Sequence, residues 1–132
     1  MEDRILHYLS ERDWRLEHTP SGLYRMLYKG HNTNLIVHLN LFNVSRSIVI
    51  AESYYPEKVP QTELDEMAER LNALNLDTLV GHFFLMCENG EIGFRSSVFF
   101  FNAELQLPMV YNCLDVAAVT ADQRYAEIFG RK

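Results

Sequence analysis

Five histidines, His7, His18, His31, His38 and His82, are the residues best suited by type to bind a metal or move a proton near neutral pH. Their spacing argues against both. No two stand at HxH or HxxxH separation, the arrangements that bring imidazoles together on one turn or one helix face. His38 and His82 read instead as sheet-surface residues, and the other three as solvated. Nucleophiles fare no better. There is no GxSxG elbow, and Cys87 and Cys113 lie outside the signatures of catalytic thiols. Ser96-Ser97 falls mid-strand, where a hydroxyl satisfies a neighbour or faces water. Gly90-Glu91-Ile92-Gly93 is a turn followed by a strand position, not a phosphate-cradling GxGxxG between strand and helix. Asp65, Glu66 and Glu69 share one helix face, but nothing nearby would bury one of them to make an acid–base pair. They read as a solvated face, or at most as an acidic docking stripe for a basic partner. The expectation is no catalytic residue, no cofactor, no metal ligand and no enzyme.

With reactive groups set aside, composition bounds what the surface can do. A chain of 132 residues has room for one domain, residues 1–132, with 48% hydrophobic and 23% charged residues. That is long enough to bury one core without disulfide or metal support. The formal charge of −6 repels phosphate backbones, and the Lys and Arg residues are scattered, with no run beyond the closing Arg131-Lys132. Nucleic acid is therefore not the expected partner. No apolar run reaches the length of a membrane span, and Met1-Glu2-Asp3-Arg4 lacks the basic-then-apolar start of an export signal. The expectation is a cytoplasmic location with no membrane partner. There the two cysteines stay reduced and serve as small buried hydrophobes.

The elements that would position any site follow from apolar spacing. Residues 2–12 set Ile5, Leu6, Tyr8 and Leu9 among charges, as in a short amphipathic helix. Residues 14–18 alternate and suit a brief edge strand. Strands are predicted over 23–29, 34–41 and 47–54, joined by short turns in an antiparallel meander. Residues 62–74 carry Leu64, Met67, Ala68, Leu71 and Leu74 at helical spacing, with Thr62 and Asp65 placed as an N-terminal capping pair. Residues 80–87 and 91–101 then form a hairpin about Asn89-Gly90. That turn pairs Cys87 with Ile92, Leu85 with Phe94 and Phe83 with Ser96. After Pro108, Val110, Cys113, Leu114, Ala117, Ala121, Tyr125 and Ile128 recur at helical steps until Gly130. The order is helix, three or four strands, helix, two strands, helix: an α+β fold on an antiparallel sheet.

The hairpin carries the most informative surface. One face holds Phe83, Leu85, Cys87, Ile92, Phe94, Val98 and Phe100, a core. The reverse holds His82, Phe84, Met86, Arg95, Ser97, Phe99 and Phe101, too apolar for a solvated face and too polar for a core. Soluble monomers rarely leave such patches open, and aromatics with Met around an Arg match the centres of protein interfaces. Phe84, Met86, Arg95, Phe99 and Phe101 are therefore the partner-binding candidates, unless a helix covers them.

Several short motifs, in order, resemble the YbjN family of small bacterial proteins, described broadly as sensory transduction regulators. They are Gly30-x-Asn32, Tyr54-Tyr55-Pro56-x-x-Val59-Pro60, Asn72-x-x-Asn75, Gly81-x-Phe83 and Gly90-x-Ile92-x-Phe94-Arg95. The resemblance implies a fold like that of type III secretion chaperones, whose members are small, acidic, usually dimeric and without catalytic residues. It supplies no reaction, ligand or catalytic residue to carry over, and a shared fold does not transfer function.

Two functions are expected from this reading. The first is a non-enzymatic regulatory module, a homodimer that also binds an unidentified protein. The second is a small-molecule sensor with an apolar pocket between the sheet and the C-terminal helix, where Tyr111, Tyr125 and Arg95 would orient the ligand.

Overall fold

Alternation of apolar side chains along residues 34–40 buries Leu35, Val37 and Leu39 and turns Ile36, His38 and Asn40 the other way, and this two-faced pattern repeats across the sheet. In the computed structural model, which describes residues 1–130, the elements run α1 (Glu2–Ser10), β1 (Glu17–His18), β2 (Tyr24–Lys29), β3 (Asn34–Asn40), β4 (Ile48–Lys58), α2 (Leu64–Leu76), β5 (His82–Met86), β6 (Glu91–Phe99), α3 (Leu107–Gln123) and α4 (Tyr125–Phe129). Arg131-Lys132 lies outside the described residues. The six strands form one antiparallel sheet in the order β1-β2-β3-β4-β6-β5. The α+β class and the antiparallel sheet are as the sequence predicts.

Helices cover one side only. α3 lies across β3, β4 and β6, α2 against β5, and α1 against α3. α3 approaches closely because small residues face the sheet: Ala117, Ala118 and Ala121 are fully buried beside Val110 and Leu114. Ser53 Oγ donates to the Ala117 carbonyl at 2.7 Å and Tyr55 Oη to that of Ala121 at 2.6 Å, so polar strand groups stay satisfied beneath the helix.

Four local expectations need correction. The hairpin closes with a four-residue turn, 87–90, so Leu85 pairs with Ile92 and Phe83 with Phe94, two residues from the predicted register. An even shift leaves every strand side chain on its expected face; Cys87 alone changes, moving from the core to an exposed turn. Thr62 does not cap α2. A 3₁₀ turn, Gln61–Glu63, leads into the helix without a side-chain cap, and Ala68 is exposed. Trp14 is buried and stacked on Tyr28 with ring centroids 5.6 Å apart, ahead of a first strand only two residues long. The C-terminal helix breaks at Arg124 into α3 and α4.

Candidate functional site

The side of the sheet away from the helices is uncovered, and strand register arranges it in rows. One row is apolar: Leu27, Ile36, Tyr54, Gly93 and Phe84, from β2 to β5. The next crosses all six strands and is polar: Glu17, Arg25, His38, Glu52, Arg95 and His82. A third pairs Ile48 with Phe99 at the far end of β4 and β6.

Where the first two rows meet, polar groups are locked together. The Glu52 carboxylate, with only 17% of its side chain exposed, accepts from Arg95 Nε at 2.7 Å and from Tyr54 Oη at 2.8 Å. His38 packs on Tyr54 with centroids 5.3 Å apart, and Phe84 meets the same ring edge-on at 5.6 Å. Phe84 lies flat because residue 93 is glycine: a Cβ there would sit 2.4 Å from Phe84 Cζ. Burial, then the bond to Glu52, pushes the Tyr54 pKa up, and burial lowers that of His38, favouring neutral imidazole at pH 7. Two shallow depressions share Tyr54 and Met86 as a wall. One, of about 410 Å³, also takes in Ile36, His38, Lys58 and Glu91; the other, of about 290 Å³, takes in Glu52, His82, Phe84 and Arg95. Among the described residues no three His, Cys, Asp or Glu side chains gather to hold a metal ion. Glu52 accepts from both Arg95 and Tyr54, which hold its carboxylate in place.

The five sequence-predicted partner residues fall into two groups. Phe84, Met86 and Arg95 meet at the corner just described. Phe99 and Phe101, 68% and 64% exposed, stack on each other 5.8 Å apart beyond Ser97. No helix covers either group among the described residues. The three groups expected to line a sensor pocket do not converge: Arg95 opens on the face away from α3, Tyr125 Oη donates to Glu57, and α3 sits directly on the sheet. Sequence reading missed a third exposed group, Leu76, Leu79 and Val80, where α2 leads into β5. Val80 was expected inside a strand; β5 begins two residues later.

Most motif residues have structural work. The backbone N–H groups of His31, Asn32 and Thr33 converge on the buried Asp122 carboxylate at 2.8–3.0 Å, and Asn32 Nδ2 donates to the Asp122 carbonyl at 3.0 Å. Val59 N–H donates to the Gly90 carbonyl at 2.9 Å, tying the end of β4 to the hairpin turn. Asn75 exchanges both amide bonds with the Phe83 backbone. Tyr54, Pro56 and Arg95 are the motif residues that stay open to solvent and line the depressions of the uncovered side.

Tyrosines make the fold sensitive to alkali. A bond to Glu2 lifts the Tyr24 pKa to about 12, a bond to Glu57 lifts that of Tyr125 to about 12, and burial pushes Tyr55 up further. The folded state therefore holds these protons more tightly than the unfolded chain. Stability is fully present below the unfolded tyrosine pKa near 10 and falls as pH rises from there toward the folded values. The phenolate absorbance of Tyr24, Tyr55 and Tyr125 should appear together with loss of circular dichroism, above pH ~10. Tyr24→Phe, Tyr55→Phe and Tyr125→Phe variants that leave the absorbance accompanying unfolding unchanged would contradict this.

Comparison with known proteins fits this picture. Residues 2–129 match the family YbjN, described as "Putative bacterial sensory transduction regulator". A solved structure from E. coli, titled "Crystal structure of YbjN, a putative transcription regulator", superposes with a TM-score of 0.64 at 11% identity, over 95% of this chain and 93% of that one. At that identity the likeness shows the fold alone. Among curated proteins nothing matches.

Proposed function

The chain belongs to the YbjN family, and from that premise we propose that it is a non-enzymatic regulatory module, cytoplasmic and homodimeric, that binds protein through the uncovered face of its sheet. One observation carries the reading. A six-stranded sheet buries one face under helices and leaves the other bare, with Phe99, Phe101, Phe84 and Met86 on it. Water-exposed apolar area of that kind favours association by roughly 25 cal/mol per Å² removed from solvent. Charge supports a second copy as the first occupant: with a two-fold axis between β4 and β6, a sheet laid on the polar row sets Glu52 of one copy over Arg95 of the other. Both cysteines are free, as a reducing compartment requires. No helix among the described residues is long and apolar enough to cross a membrane.

Sedimentation equilibrium tests this. The wild type should run at about 31 kDa, twice the 15.4 kDa chain. Phe99→Asp with Phe101→Asp should run as a monomer with unchanged circular dichroism, because both rings are already exposed. A wild-type monomer across the micromolar range, or a variant that still dimerises, would overturn the assignment of this face.

A further inference from the structure

The last strand of the sheet, β5, has a free edge, and its backbone groups are treated in an unusual way. Residues 83 and 85 point their N–H and C=O groups outward, since alternate residues of an edge strand face away from the neighbouring strand. At one end the Asn75 carboxamide, from the C-terminal turn of α2, accepts from Phe83 N–H at 2.7 Å and donates to its carbonyl at 3.1 Å. It makes the donor–acceptor pair that a neighbouring strand would make. At the other end Gln61 Nε2 donates to the Cys87 carbonyl at 3.3 Å. Between them Leu85, two residues on from Phe83, turns its N–H and C=O to the same edge by strand alternation, and no side chain among the described residues bonds them there. They open into a groove of about 230 Å³ between β5 and α2, lined by Ala68, Leu71, Asn72, Asn75 and Phe83. Backbone groups left unbonded beside apolar walls are costly, and the chemistry that satisfies them is another backbone.

We propose that this edge is a strand-addition site: an extended segment of another protein displaces the carboxamides of Asn75 and Gln61 and pairs with Phe83 and Leu85, ending at the Cys87 carbonyl. Displacement trades amide for amide, so it costs little, and the gain is the two bonds to Leu85 together with apolar contact. The groove also specifies the segment. It spans about five residues at the usual rise per residue. One set of its side chains faces Ala68 and Leu71 in the groove and is apolar, while the other stands on the open side of the sheet beside Phe84 and Met86. Asp65 lies on the same helical stripe as Ala68, Asn72 and Asn75, which favours a basic residue at the segment's end. A second copy of this chain does not fit, because α2 stands beside β5 and each copy would bring its own helix to the same gap.

The probe is the peptide Ac-Lys-Val-Thr-Val-Thr-Val-Lys-NH2, titrated into isotope-labelled wild-type protein, with amide hydrogen exchange read by NMR. Exchange at Leu85 should slow by about tenfold at saturation, with the probe N-methylated at alternate residues having no effect. In the Asn75→Ala, Gln61→Ala variant, whose edge is already vacant, the unmodified probe should bind about tenfold more tightly. Unchanged exchange at Leu85, or equal effects of the two probes, would overturn the proposal on wild-type protein alone, whether or not the variant folds. Peptide-free pairing of the variant through β5 would also overturn it, showing that the carboxamides guard against self-association. The proposal does not rest on the dimer face: the Phe99, Phe101 variant should bind the probe as the wild type does, so the two readings fail separately.

Discussion

Asp122→Ala should cost the fold about 3–4 kcal/mol, read as a fall in the urea midpoint with unchanged slope, because three backbone donors lose their acceptor at once. The carboxylate, 4% exposed in the last turn of α3, is the meeting point of the N–H groups of His31, Asn32 and Thr33. Those groups belong to the turn between β2 and β3, so one side chain fastens the C-terminal helix to the sheet across some ninety residues of sequence. Gly30 is part of the same device: a Cβ there would stand 2.2 Å from Asp122 Oδ1. A domain this size has about 5–15 kcal/mol in total, so the loss is large. Asp122→Asn should recover only part of it, since its amide nitrogen would face a donor. Asn32→Ala, which removes a single peripheral bond, should cost about 1 kcal/mol. If Asp122→Ala and Asn32→Ala cost the same, the converging N–H groups are not what holds the turn.

How much of this was legible in the sequence depends on the range of the interaction. Strand faces were readable because alternation is local: Leu35, Val37 and Leu39 declare one side of β3 whatever they pack against. The unusual reverse face of the hairpin was readable on the same grounds. Which face the helices would cover was not, because alternation separates two sides without saying which receives α3. The hairpin register failed for a related reason. Asn89-Gly90 favours a two-residue turn locally, but in the four-residue turn observed Gly90 N–H bonds the Met86 carbonyl and its own carbonyl accepts from Val59, just past β4. Asp122 did leave a signal. It is an acid on the stripe of Ala118, Ala121 and Tyr125, where a buried carboxylate requires donors from elsewhere. Nothing local named the β2–β3 turn as their source. Asn75 left less, since an asparagine at a helix end is ordinary and its bonding to an edge strand shows only in three dimensions.

Gly90→Ala should be nearly as damaging, at about 3–4 kcal/mol, and the reason can be isolated by a second glycine. Gly90 has φ +75° and is buried; its added Cβ would lie 2.3 Å from the Val59 carbonyl oxygen, which is backbone and cannot swing aside. Left-handed φ alone costs an L residue about 1–2 kcal/mol. The rest comes from separating the turn from β4 and weakening the Val59–Gly90 bond. Gly22 has a similar φ of +94°, but its Cβ would meet only the ring of Phe42, an exposed side chain free to rotate away. Gly22→Ala should therefore show the conformational part alone, about 1–2 kcal/mol. The difference between the two variants measures what the close approach of turn and strand contributes. It also bears on the uncovered face, because Val59 continues the strand that carries Glu52 and Tyr54, while Gly90 opens the strand that carries Arg95. Weakening that tie should loosen the Arg95–Glu52–Tyr54 cluster even where the protein remains folded, visible as faster amide exchange along β4 from residue 54 onward. Equal stability losses in the two variants would show instead that backbone conformation accounts for all of it and that the contact with Val59 is incidental.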